Sequence, residues 1–99
     1  MRWSWKAWQT LVQEKVTDVD ARELAEVWPT FAKTQGGKRG MWAQQMMYQD
    51  APLAHWMTPQ HSAMGRIMQA ANQLEAAGLA SRCPGTPLYM PVYPDNVEK

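Results

Sequence analysis

Between Trp3 and Val16 the apolar side chains recur at steps of three and four, so Trp5, Trp8, Leu11 and Val12 fall on one stripe. This spacing predicts a first helix with Ser4 as its cap, although Trp3 and Trp5 fit a short extended lead-in equally well. Thr17-Asp18-Val19-Asp20 interrupts the pattern with residues suited to a helix N-terminus. A second helix is expected from about Asp18 to Val27 or Trp28, burying Leu24, Val27 and Trp28, with Arg22, Glu23 and Glu26 facing water. Pro29 disfavours helical geometry at the residue before it and is expected to end or bend this helix.

Residues 34–40 hold three glycines and read as a loop, because each glycine costs a helix about 1 kcal/mol. Met41, Trp42, Gln45, Met46 and Gln49 suggest a third helix, closed by Asp50-Ala51-Pro52, and residues 53–57 a short helical connector. Thr58-Pro59 joins a capping hydroxyl to a proline at the first helical position, predicting a fourth helix from Pro59 to Ala77. Its inner face is Ala63, Met64, Ile67, Ala71 and Leu74, and Gly78 supplies the left-handed residue that stops it. Beyond it Leu79, Ser81 and Cys83 alternate with Ala80 and Arg82, and Leu88, Met90 and Val92 alternate with Tyr89, Pro91 and Tyr93. Pro84-Gly85-Thr86-Pro87 between them is turn chemistry, and Pro91 fits an edge strand or a bulge. The expected fold is therefore mostly α with a small C-terminal β-hairpin, in one domain over residues 1–94 followed by a polar tail at 95–99.

Composition changes this picture in two respects. Six tryptophans (Trp3, Trp5, Trp8, Trp28, Trp42 and Trp56) and eight methionines in 99 residues either build a core from few side chains or form a surface awaiting a partner. A net charge of +1 neither announces nor excludes a nucleic-acid partner, since the distribution of charge decides. Cys83 is the only cysteine, so an internal disulfide is ruled out; with no signal-peptide pattern and no run of 18 apolar residues, the expectation is a soluble cytoplasmic protein.

Ser62-Ala-Met-Gly-Arg-Ile-Met68, then Leu74-Glu-Ala-Ala-Gly-Leu-Ala-Ser-Arg82, then the Cys83–Tyr93 hairpin resemble the winged helix-turn-helix superfamily. Many bacterial regulators of that superfamily end the recognition helix in a similar Leu-Glu-x-x-Gly-Leu-x-x-Arg run that opens the wing. The match covers about residues 41–94. It implies a small DNA-binding transcriptional regulator of bacterial, phage or plasmid type, acting as a homodimer on double-stranded DNA. The fourth helix would enter the major groove, with the 79–93 hairpin beside the backbone. The Trp-rich N-terminal helix would be the dimerisation element.

On a helical period Ser62, Arg66, Gln69 and Gln73 share a face, flanked by Gln60, His61 and Asn72. Arg reads guanine through O6 and N7, and Gln or Asn reads adenine through N6 and N7; the bland alternative is a solvated polar face. Gln60 and His61 stand at the expected helix N-terminus, where free N–H groups suit a phosphate. Lys38 and Arg39, near Lys33, form the densest basic patch and serve either phosphates or water, while Arg82 at the base of the wing is a candidate for a backbone contact.

Enzymatic chemistry has little support. His55, His61 and Cys83 match no zinc spacing, and Asp50 with His55 lacks an accompanying nucleophile or oxyanion feature, so no metal, cofactor or catalytic residue is assigned. The acidic side chains of the second helix read most simply as a wet face. A second functional reading keeps the same scaffold but binds a protein partner without DNA, motivated by the low positive charge and the abundance of Trp and Met.

Overall fold

A computed structural model describes residues 4–34, 40–42, 53–60, 63–85 and 88–93. In chain order it contains α1 (Trp5–Lys15), α2 (Val19–Thr34), β1 (Met41–Trp42), a 3₁₀ turn at Ala54–Trp56, α3 (Met64–Ala76), β2 (Ala80–Arg82) and β3 (Leu88–Pro91). The architecture is mostly helical with a small antiparallel sheet, strand order β1-β3-β2.

α1 begins where expected, with the Ser4 hydroxyl accepting the Ala7 N–H at 3.0 Å. α2 is capped by Asp18, whose carboxylate accepts the Ala21 N–H at 2.9 Å. The helix does not stop at Trp28. It carries Pro29 in its interior and runs on to Thr34. Proline removes the N–H that would have reached Ala25 four residues back. Gln9 on α1 fills that gap, its side-chain amide donating to the carbonyls of Ala25 at 3.1 Å and Glu26 at 3.2 Å.

Two further elements depart from the sequence pattern. Met41 and Trp42 open a strand instead of a helix, pairing antiparallel with Tyr89 and Leu88. The remainder of the expected third helix, residues 43–49, lies outside the described residues. Gly40 leads into this strand at a close approach, since a β-carbon there would stand 2.9 Å from the Met90 sulfur. α3 starts at Met64, not Pro59. Pro59 and Gln60 form an exposed bend, so neither side chain ties a first turn to the core. Ala63 is wholly buried, and its carbonyl accepts the Ile67 N–H at 2.9 Å.

The far end of α3 is as the sequence implies. Gly78 adopts φ +78°. Its N–H donates to Glu75 and that of Leu79 to Leu74, at 3.0 and 2.9 Å, the paired bonds of a Schellman ending. This ending drops Leu79 into the core, so Leu79 and Ala80 are both buried and the simple alternation expected through Cys83 fails at its start. Across the hairpin Ala80, Ser81 and Arg82 pair with Pro91, Met90 and Tyr89. Because β1 joins it, β3 is the central strand; Pro91 sits at its end, two residues beyond the β1 partners Leu88 and Tyr89. Tyr89, not Leu88 or Met90, is the fully buried member of β3.

Tryptophan is core material here. Trp8 and Trp28 are completely buried, Trp56 nearly so, and Trp5 packs half-buried against the same cluster. The rings of Trp5, Trp8 and Trp28 form an edge-to-face series with centroids 5.8 and 5.3 Å apart. The Trp8 indole N–H donates to the Leu79 carbonyl at 2.8 Å, and the Val92 N–H meets the same oxygen at 2.9 Å. One carbonyl thus ties α1, the exit of α3 and the end of the hairpin together. Trp8 thus faces inward and Trp5 is half-buried against the core, while Trp3 lies outside the described residues and of Trp42 only the backbone is described.

Candidate nucleic-acid interface

α3 packs against α2 and β2 and buries Ile67, Ala70, Ala71 and Leu74. Its opposite side carries Gly65, Gln69, Asn72, Gln73 and Ala76, all exposed. None of these five side chains carries a formal charge. Glu75 and Arg66 are the only ionisable side chains on α3, one acidic and one basic.

Gln69 and Gln73 occupy the outward face as the helical period implies. Asn72 stands beside them, and its side-chain oxygen accepts the Tyr89 hydroxyl at 3.1 Å. Burial pushes the Tyr89 phenol above its ordinary value, so it remains a neutral donor that fixes this amide from the sheet. Gln60 is exposed on the bend before the helix and not at a helix N-terminus. His61, Ser62, Lys38 and Arg39 lie outside the described residues.

Arg66 is exposed like the glutamines, but its guanidinium is engaged on the α2 side of the helix. Its guanidinium makes two bonds of 2.8 Å to the Asp20 carboxylate on α2 and lies 4.4 Å from the centre of the Trp56 ring. A two-pronged pair with an aromatic platform is the geometry that suits arginine best. The hydrogen bonds from Arg66 hold the Asp20 carboxyl below its ordinary range, and the same contact raises Arg66. Glu23, one turn along α2, accepts the Trp56 indole N–H at 3.3 Å and lies 2.6 Å from His55 Nε2. Of the acidic side chains of α2, Glu26 is exposed as expected, whereas Asp20 and Glu23 are partly buried and paired. Asp20 and Glu23 fasten α2 to the 3₁₀ turn and to the first turn of α3. The sequence signal for this was present but unread: Asp20 and Glu23 are three residues apart and so share a helix face.

Arg82 is exposed at the base of the hairpin, and its backbone N–H donates to the Glu75 carboxylate at 3.2 Å. Cys83 beside it is half-buried. Among the described residues no three His, Cys, Asp or Glu side chains gather as a metal site, and no helix is long and apolar enough to cross a membrane. Comparison with protein-family models, with curated proteins and with solved structures gives no match.

Proposed function

We propose that this chain is a winged-helix DNA-binding regulator that presents α3 to the major groove and the β2–β3 hairpin to the flanking backbone. The observation that carries the reading is the outward strip Gln69, Asn72 and Gln73 on a helix held rigidly from behind, with the Arg82-bearing hairpin leaving directly from its end. Amides at this spacing match adenine edges, and a helix backed by a packed core sets them in register. The strand order β1-β3-β2, with one strand donated from before the helix, supports the same scaffold.

The test is binding to a pool of double-stranded DNA fragments at about 50 and about 200 mM salt. Affinity that falls with salt, and selected sites that change when Gln69→Ala and Gln73→Ala are introduced, would support the reading. Absence of binding at the lower salt would overturn it.

One observation favours a protein-binding module instead: the single arginine of α3 is already neutralised by Asp20. A surface so nearly uncharged supplies little of the phosphate attraction on which DNA affinity rests. Under this second reading a partner protein is retained after nuclease treatment, and Gln69→Ala leaves DNA affinity, whatever its size, unaltered.

A further inference from the structure

α1 turns Trp8, Leu11 and Val12 into the core and leaves Lys6, Thr10 and Glu14 exposed along its outer side. These three stand four residues apart, so they form one continuous ridge. The ridge borders an open groove of about 370 Å³ that Ala7, Leu11 and Tyr93 also line. Among the described residues neither Lys6 nor Glu14 has an ion-pair partner.

We propose that this face binds the same face of a second copy, α1 against α1 antiparallel, about a two-fold axis passing beside Thr10. The order of charges selects this arrangement. A two-fold axis brings together residues equidistant from it on either side. Lys6 and Glu14 are each four residues from Thr10, so each Lys6 meets the partner's Glu14 and two opposite-charge pairs form. A parallel arrangement would set Lys6 against Lys6 and Glu14 against Glu14.

Ridges of this i, i+4 type interlock at a crossing of about −50° with the axes 8–10 Å apart. The closest point then falls at Thr10, whose side chain is small. Lys6 and Glu14 lie about 6 Å along the helix on either side, within reach of long side chains across the crossing. Partly exposed Ala7 and Tyr93 in the groove lining give the ridge of the other copy an apolar seat. An 11-residue helix is only about 16 Å long, so the contact is smaller than the ~800 Å² per partner of a standard interface, and the dimer is a weak, concentration-dependent one. The inference does not depend on what α3 binds.

Sedimentation equilibrium of the full chain from about 10 µM to about 1 mM tests it. The expected result is a monomer–dimer equilibrium that weakens as salt is raised. Lys6→Glu or Glu14→Lys alone turns both pairs repulsive and should raise the dissociation constant about tenfold or more. The double exchange Lys6→Glu with Glu14→Lys should restore it to within about threefold. In a Cys83→Ser background, Thr10→Cys should give a disulfide-linked dimer on mild oxidation, whereas Gln69→Cys should not. Both charge positions are exposed, and thermal melts of each variant check that it folds. A chain that stays monomeric at about 1 mM overturns the proposal, as does a double exchange no better than the single ones. So does an efficient dimer that Thr10→Cys fails to link.

Discussion

The Ala25 carbonyl has lost the helical donor that Pro29 cannot supply, and Gln9 answers it from a neighbouring helix. A proline inside a helix ordinarily costs about 3 kcal/mol, part of it the unmet carbonyl. Gln9 recovers some of that cost while joining α1 to α2. Gln9→Ala should therefore destabilise the fold by about 1 kcal/mol in urea unfolding. The diagnostic is the coupling. In a Pro29→Ala background the backbone N–H returns and Gln9→Ala should cost less than half as much, as a double-mutant cycle would read. Equal costs in the two backgrounds would mean that Gln9 acts only through packing. A sequence pattern could not expose this pairing, because Gln9 and Pro29 are twenty residues apart and neither is unusual alone.

At the scale of elements, the exit of α3 decides where the hairpin lies. Gly78 is left-handed with open space around it, so Gly78→Ala meets no clash and pays only the backbone penalty, about 1–2 kcal/mol by chemical denaturation. The entry of α3 is held differently, by Asp20 gripping Arg66. Because the native contact lowers the Asp20 pKa, the carboxylate contributes stability above its unfolded value near 3.8, and that contribution disappears as pH falls through the lower native value. Wild type should thus exceed Asp20→Asn in stability by a constant margin at neutral pH, and the two curves should converge below about pH 4. Curves that stay parallel would remove the pair from the stability of the fold. The same contrast explains what was legible beforehand. Ser4, Asp18 and Gly78 act within one turn of their own helices, and each marks its boundary correctly. Thr58-Pro59 offers equally good local chemistry, yet helical turns persist mainly where an apolar face packs, and among the described residues from Met57 onward Ala63 is the first that is buried. β1 failed for the complementary reason: Met41 and Trp42 become a strand because Leu88 and Tyr89, some 47 residues onward, supply the ladder.

For the whole molecule, the helical period sorted Gln69 and Gln73 outward correctly, but it placed Arg66 beside them without regard to what α2 presents. The difference matters for function because it sets how much positive charge α3 displays. With Arg66 paired to Asp20, the outward surface of α3 can read base edges but contributes little to phosphate attraction, so affinity should be modest and its dependence on salt shallow. Replacing the carboxylate by an amide keeps the size of the side chain and removes the charge that holds the guanidinium. Under the DNA-binding reading, Asp20→Asn should therefore tighten binding to duplex DNA and steepen the slope of log affinity against log salt by about one unit, the signature of one added phosphate contact. Arg66→Gln placed on top of it should cancel both changes, which separates a freed arginine from a general loss of acidity on α2. If α3 instead meets a protein, Asp20→Asn should leave the salt slope where it was, since no counterions are released from a surface that never touches DNA.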